Sequence, residues 1–438
     1  MNKPYQKFIF KNGLRLVTVP MKNTKAVTVL VLVGTGSKYE TKEINGISHF
    51  LEHMFFKGTK KRSNTLAIAE ALDGVGGEYN AFTDKEVTGY WAKVDSKHLD
   101  LALDWVSDIF LNSKLEEQEI ERERGVIIEE INMYLDDPRR YIWDLWEKLL
   151  YGNQPAGWLI SGEKKTIRKL KRQHFINYLK THYSSRNTII VIAGGINRIQ
   201  NLKLKIQNSF QWINLVEPGS KKRVIEKQNE PGLLIHYKKT DQTHLRLGSR
   251  GYNIFNQDRY VLSILGVILG GSMSSRLWIE IRERHGLAYY VRTGIESHTD
   301  SGWLCSGAGV NNDKVDKVIE IILRNYRLTK EQKIGKEELR KAKDFIKGRT
   351  ILAMEESDEQ AAFYASQELL ENKILTLEEK FAKIEAVTAN DIQRVARDIF
   401  KPEKLNLALI GPFKDKQKFQ RLLKLYHLMK HKSRGFNG

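Results

Sequence analysis

The sequence predicts an α+β fold built from two copies of one domain. Apolar strands and amphipathic helices follow one another in both halves of the chain. The repeat is clearest where the halves end: residues 174–194 and 391–411 each run from a helix through an aromatic residue into an apolar strand that stops at glycine. We therefore predict two homologous domains of about 210 residues, each a mostly antiparallel or mixed β-sheet covered by helices.

The first half contains strand and helix patterns in a fixed order. Residues 8–19 alternate around Asn12-Gly13, which is typical of a β-hairpin. The elements expected after it are a strand at 26–33, a helix at 45–58 ending at glycine, a helix at 65–72, strands within 78–94 turning at Asp84-Lys85, helices within 96–150 and 166–182, and a buried strand at 188–195.

The middle of the chain contains the best linker candidate. A Pro- and Gly-containing stretch opens at Glu217-Pro218-Gly219 and closes at Pro231-Gly232. We predict a first domain at 1–216, a linker at 217–232 and a second domain at 233–438 with a basic C-terminal tail. The second half repeats the order: strands near 233–236 and 243–248, a helix from Asp258, a Gly-rich break at 270–272, then further helices and strands.

Composition predicts a soluble cytoplasmic protein. Hydrophobic residues make up 41% and charged residues 29% of the chain, and Cys305 is its one cysteine, which excludes an intrachain disulfide or a cysteine metal site. We see no signal peptide, and no apolar run reaches the ~20 residues that span a bilayer, so no stable membrane anchor is expected.

The net charge of +19 is compatible with several classes of binding partner. A basic surface can favour nucleic acid, anionic membranes or acidic substrates, but the lysines are dispersed and no nucleic-acid motif is present, so no nucleic-acid partner is expected. In the basic tail, Phe419, Leu422, Leu423 and Tyr426 form an apolar stripe. The stripe could lie on a membrane or dock nucleic acid, but packing on its own domain is the favoured interpretation.

Two histidines and a glutamate in the first half form a candidate zinc site. His49 and His53 are four residues apart on the predicted helix, so they share one face, and Glu52 lies beside them. This H-x-x-E-H order is the inverzincin pattern. Two imidazoles can bind zinc, and the carboxylate can act as a base for its water. The structural alternative is a pair of core histidines.

A catalytic zinc ion needs a third protein ligand. Glu123, Glu129 and Glu130 lie on a predicted charged helix, where Glu123 and Glu130 share a face that Glu129 does not. Their apolar neighbours indicate partly buried carboxylates, which need a metal or imidazole partner; taken alone, a solvated charged face is the alternative. The corresponding helix of the second copy, 262–269, has neither histidine nor acid.

These stretches resemble the M16 (pitrilysin) metallopeptidases, in the processing-peptidase-like M16B group with the LuxS/MPP-like metallohydrolase fold. The resemblance covers roughly residues 8–412 and includes the spacing of 76 residues between His53 and Glu130. The stretches that carry it are 49–53, 79–83, 123–130, 270–277 and 281–289.

The resemblance implies a role for each matching residue. His49, His53 and Glu130 would bind one Zn²⁺ per chain, Glu52 would be the general base that activates the zinc-bound water, and Glu123 would support the site from behind. Asn80 and Ala81 would lie on an edge strand that pairs with an extended peptide. Arg282 and Tyr289 of the second domain would hold the substrate and stabilise the tetrahedral intermediate.

The predicted function is that of a zinc metalloendopeptidase acting on peptides or unfolded, presequence-like segments inside a chamber. The resemblance implies a dimer, a homodimer being favoured and a heterodimer with a related chain being possible. The alternative is a non-catalytic peptide-binding partner of another M16-like chain. A third possibility, a nucleic-acid-binding protein, rests on net charge alone. Departures from the family pattern are Gln154-Pro155-Ala156-Gly157-Trp158 and the basic tail.

Overall fold

The protein forms two compact units in the computed structural model, which describes residues 3–196 and 199–426. Each unit combines segments from both halves of the chain. The first comprises Met1–Met133, Gln154–Arg223 and Arg349–Lys380; the second comprises Tyr134–Asn153, Val224–Gly348 and Phe381–Gly438. The predicted division at the 217–232 linker does not include this exchange, in which residues 134–153 lie in the second unit and residues 349–380 in the first.

The strands and helices follow in chain order. The strands are β1 (Gln6–Ile9), β2 (Arg15–Pro20), β3 (Ala26–Val33), β4 (Glu78–Thr83), β5 (Thr88–Asp95), β6 (Thr188–Gly194), β7 (Gly232–Tyr237), β8 (Gln242–Arg250), β9 (Ala288–Ser297), β10 (Gly302–Asn311) and β11 (Leu405–Gly411). The helices are α1 (Ile47–Met54), α2 (Thr65–Asp73), α3 (Leu99–Asn112), α4 (Glu117–Asp136), α5 (Pro138–Tyr151), α6 (Lys164–Ile167), α7 (Arg172–His182), α8 (Ile199–Ser209), α9 (Arg259–Gly270), α10 (Val315–Glu331), α11 (Lys336–Ala353), α12 (Ser357–Glu371), α13 (Leu377–Glu385), α14 (Ala389–Ile399) and α15 (Lys416–Leu425).

The first unit contains a mixed sheet with helices on both faces. Its strand order is β1-β2-β6-β3-β5-β4, with β2 and β6 parallel and the other neighbours antiparallel. The central strands β3 and β6 are almost continuously apolar and buried, as expected for strands covered on both faces. Helix α12 packs on β3 and β6, where Thr28 and Ser357 are hydrogen-bonded at 2.8 Å, and α1 and α3 pack against other strands.

The second unit repeats the plan with strand order β7-β11-β8-β10-β9. Helices α9, α10, α14 and α15 contribute to one large apolar core with the sheet. Helix α5 packs on β7, β8 and β11, and its Trp143 ring lies 3.2 Å from the buried guanidinium of Arg246. The fold class predicted from the sequence, α+β with two mixed sheets covered by helices, is confirmed.

Two predicted helices are shorter in the structure. Helix α1 ends at Met54, and residues 55–58 form a turn rather than a last helical turn. The helix expected at 166–182 is interrupted, because α6 ends at Ile167 and α7 begins at Arg172.

The apolar stripe near the C-terminus packs on its own unit. Phe419, Leu423 and Tyr426 are buried in the core of the second unit, as the favoured interpretation of the sequence predicted. The rest of the basic tail, 427–438, lies outside the described residues. Among the helices of the described chain, none has the length and apolarity needed to cross a membrane.

Candidate metal centre

Helix α1 is held at its N-terminus by a buried carboxylate from outside the helix. Glu40 Oε2 accepts the Gly46 N–H at 2.7 Å, and Glu40 Oε1 accepts the Ser48 N–H at 2.9 Å. Gly46 has a φ of +98°, and a Cβ there would lie 2.7 Å from the Ser161 carbonyl oxygen, so only glycine fits. The Ser48 hydroxyl bonds to the buried Tyr178 hydroxyl at 2.8 Å. These contacts fix the helix that presents His49 and His53.

Helix α4 presents the candidate third ligand. Its Ile120, Ile127 and Ile131 are buried, which sets the rotation of the helix. Glu123 and Glu130, seven residues apart, lie on the same face of the helix two turns from each other, whereas Glu129 is exposed and accepts a hydrogen bond from Asn132 Nδ2 at 3.1 Å.

His49, His53 and Glu130 converge in space. Glu130 Oε2 lies 3.6 Å from His49 Nε2 and 3.5 Å from His53 Nε2, and the three candidate ligand atoms lie within 4.8 Å of one another. Glu130 Oε2 is buried and has no hydrogen-bond partner among the described residues. A buried carboxylate oxygen without a partner is costly unless a cation satisfies it.

The spacing of these atoms suits a zinc ion. Tetrahedral zinc with bonds of about 2.0–2.2 Å separates its ligand atoms by roughly 3.3–3.6 Å. The two measured distances from Glu130 Oε2 match that range. Two imidazoles and one carboxylate are also the donor set of a zinc site that keeps a position open for water.

A second carboxylate supports His53 from behind. Glu123 Oε1 lies 2.8 Å from His53 Nδ1, and Glu123 Oε2 lies 2.6 Å from Lys57 Nζ. A carboxylate can only accept, so Nδ1 of His53 carries the hydrogen and its Nε2 faces Glu130. This is the arrangement by which ligand histidines are usually oriented.

Burial and neighbouring charges shift the pKa values at the centre. Burial, aided by the nearby His53, lowers the pKa of His49 to about 3, so His49 is neutral and able to bind metal at neutral pH. Burial also lowers the pKa of His53, but the Glu123 hydrogen bond and the surrounding carboxylates outweigh it and raise that pKa. Burial likewise raises the pKa of Glu52, which suits a general base.

Glu52 is held by the edge strand of the sheet. Thr83 Oγ1 donates a hydrogen bond to Glu52 Oε2 at 2.5 Å, and Thr83 is the last residue of β4. Among the strands of the described residues, β4 pairs only with β5. Asn80 and Ala81 lie on this edge strand, where the Asn80 side chain accepts the Ala81 N–H at 2.8 Å.

The second unit brings together the two residues expected to contact substrate. Arg282 Nη1 donates to the carbonyl of Tyr289 at 2.9 Å, and its guanidinium lies 5.1 Å from the Tyr289 ring centroid. The Tyr289 side chain is 72% exposed. Helix α9, which corresponds to α1, contains no histidine and no acidic residue.

Sequence reasoning missed the roles of Thr83 and Lys57. Thr83 is the last residue of the 79–83 stretch, and Lys57 follows His53 by four residues, so both lie in or next to motifs that the sequence had already identified. Their partners, Glu52 and Glu123, come close only in three dimensions.

Comparisons with known proteins decide the family. A model described as insulinase (peptidase family M16) matches residues 15–162, and one described as the peptidase M16 inactive domain matches residues 169–345. The uncharacterized zinc protease YmxG of Bacillus subtilis is 37% identical over 408 residues, which cover 93% of this chain and 98% of that protein. This chain belongs to peptidase family M16.

Further relatives agree with this assignment. An uncharacterized zinc protease of Rickettsia felis is 34% identical over 409 residues, covering 92% of this chain and 96% of that protein. The crystal structure of a protease from Helicobacter pylori has a TM-score of 0.87 and 25% identity, and the match covers 93% of this M16 chain and 99% of that chain. A Pseudomonas fluorescens structure titled peptidase M16 inactive domain shares the fold, with a TM-score of 0.85 at 16% identity, covering 94% and 98% of the two chains.

Proposed function

We propose that this M16 chain is a zinc-dependent endopeptidase that binds one zinc ion through His49, His53 and Glu130. The observation that carries the proposal is the convergence of these three ligand atoms beside the half-buried Glu52. Zinc bound there would polarise the scissile carbonyl and lower the pKa of water towards ~7. The relatives named zinc proteases support the choice of metal.

Glu52 is the proposed general base. Its carboxylate would take the proton of the attacking water and return it to the leaving amine. The Thr83 hydroxyl fixes one oxygen of Glu52, which leaves the other for proton transfer. Glu123 would keep His53 oriented throughout the reaction.

The proposed substrates are peptides or unfolded, presequence-like segments. The free edge of β4 supports this, because an extended chain can add to an open sheet edge through backbone hydrogen bonds. Asn80 and Ala81 would contribute to that pairing. Arg282 and Tyr289 would hold the substrate and stabilise the oxyanion, since a guanidinium and a phenol donate hydrogen bonds at neutral pH.

The assembly and location are also proposals. Resemblance to M16B enzymes supports an enclosed chamber and a dimer, and the composition of the chain supports a cytoplasmic location. A non-catalytic, peptide-binding partner remains the second candidate. Retention of His49, Glu52, His53 and Glu130 favours the enzyme, because a subunit that only binds peptide has no need for the general base.

The test is cleavage of a fluorogenic peptide library by wild type and by Glu52→Gln, with zinc content measured on both. We expect both proteins to hold zinc and wild type alone to cleave. Zinc-loaded wild type that cleaves nothing, while both proteins bind peptides equally well, would favour the non-catalytic partner.

A further inference from the structure

A partly buried salt bridge lies directly behind the candidate metal centre. Lys57 Nζ is 2.6 Å from Glu123 Oε2, and the other oxygen of Glu123 bonds to His53 Nδ1 at 2.8 Å. Lys57, Glu123 and His53 therefore form a linked series of side chains, and the last of them is a candidate zinc ligand. Only 4% of the Glu123 side chain and 22% of the Lys57 side chain are exposed, so the charges are weakly screened by water.

The backbone that carries Lys57 is fixed on both sides. Lys57 lies in the turn that follows α1, where its N–H donates to the Met54 carbonyl at 3.1 Å, and the next residue, Gly58, has a φ of +119°. A Cβ at Gly58 would lie 2.7 Å from the Ser63 carbonyl oxygen, so the turn requires glycine. Thr59 then donates to the buried carboxylate of Asp108 at 2.6 Å. The ammonium group is therefore presented from a well-anchored turn.

We propose that Lys57 is a positioning residue which, through Glu123, holds His53 in the orientation and tautomer that bind zinc. The ammonium group satisfies the oxygen of Glu123 that His53 does not use and compensates its charge. Glu123 then keeps the hydrogen on Nδ1 of His53, which leaves Nε2 free to bind the metal. This inference rests on the proposed zinc site.

The sign of the effect separates this role from simple electrostatics. A lysine near a dication repels it, so Coulomb's law alone predicts that removing Lys57 strengthens zinc binding. A positioning role predicts weaker binding, because partners that orient ligand histidines typically contribute 10- to 100-fold in metal affinity or activity.

The experiment measures zinc dissociation constants by chelator competition for wild type, Lys57→Met, Lys57→Arg and Lys60→Met. Lys60 is exposed and three residues away, so its substitution removes the same charge outside the series. We expect Lys57→Met to bind zinc about 10-fold more weakly, Lys57→Arg to bind more tightly than Lys57→Met, and Lys60→Met to match wild type. Unchanged or tighter binding by Lys57→Met overturns the proposal, as does equal weakening by Lys60→Met.

Two further readouts separate positioning from a general loss of structure. Because Lys57 acts through Glu123, Lys57→Met should have no added effect on zinc affinity in a Glu123→Gln background; an additive effect contradicts the proposal. In zinc-free protein, at a pH at which His53 is neutral, histidine ¹⁵N NMR should show the Nδ1–H form of His53 in wild type and Lys57→Arg but a mixture of tautomers in Lys57→Met. If Lys57→Met fails to fold, the wild-type and Lys57→Arg spectra still test the proposal, which fails if either shows mixed tautomers.

These readouts concern zinc and not peptide cleavage. Wild type that binds zinc but cleaves no peptide would remove the proposed function and leave the role of Lys57 in place. If the protein is an active peptidase but its zinc affinity is unchanged by Lys57→Met, the proposed function stands and the role of Lys57 is removed.

Discussion

The hydrogen bond from Thr83 to Glu52 allows the proposed base to be perturbed without touching a metal ligand. Thr83→Val removes the hydroxyl while keeping nearly the same shape and a side chain suited to a strand. The bond is 2.5 Å long and joins a hydroxyl to a half-buried carboxylate. Hydrogen bonds to charged groups contribute about 1.5–3 kcal/mol. At 1.36 kcal/mol per factor of ten, kcat should fall roughly 10- to 150-fold.

The assay is steady-state cleavage of one fluorogenic peptide by wild type, Thr83→Val and Thr83→Ser, each with its zinc content measured. Thr83→Ser keeps the hydroxyl and should retain most of the activity. Zinc content should be the same in all three, because Thr83 is not among the candidate ligands. Wild-type kcat in Thr83→Val would refute the reasoning, and so would a loss of activity that follows a loss of zinc.

Three further predictions concern the ligands, the helix cap and the metal. Glu130→Gln should weaken zinc binding by more than the ~100-fold typical of outer-shell partners, whereas Glu129→Gln should leave zinc affinity unchanged in chelator competition; equal effects would contradict the ligand assignment. Burial raises the pKa of the Glu40 carboxyl, so the folded protein holds that proton more tightly than the unfolded protein does. The stability of wild type relative to Glu40→Gln should therefore fall as the pH rises through the pKa of Glu40 in the folded protein. A difference in melting temperature between the two proteins that stays constant from acid to neutral pH would refute this. Chelation should lower the melting temperature of wild type, because a ligand bound only by the folded state stabilises it, and should leave His49→Ala unchanged; an equal fall in both would place the metal elsewhere.

Much of the candidate centre could be predicted from the sequence because the spacing of its residues along two helices shows which of them share a face. His49 and His53 share a face of any helix because they are four residues apart, and the same geometry places Glu123 and Glu130 on a face that Glu129 does not share. The choice of Glu130 as the ligand came from the family resemblance. The resemblance to M16 enzymes then joined α1 to α4 across 76 intervening residues. In the structure Glu130 Oε2 lies 3.6 Å from His49 Nε2, whereas Glu129 is exposed.

The exchanged helices and the supporting contacts could not be predicted in the same way. Periodicity shows that α5 and α12 each bury a face but does not say which sheet receives it. Local pattern therefore could not reveal that α5 packs with the strands of the second half or α12 with those of the first. The bonds from Thr83 to Glu52 and from Lys57 to Glu123 are likewise tertiary contacts, and neither residue type is distinctive of a metal site.

The most direct test of the account is a crystal structure of the zinc-loaded protein with anomalous data collected at the zinc edge. The account predicts one strong peak per chain, within bonding distance of His49 Nε2, His53 Nε2 and a Glu130 carboxylate oxygen, with Glu52 beside it but not bound. A peak coordinated by other residues, or no peak at these three side chains in protein shown to contain zinc, would contradict it.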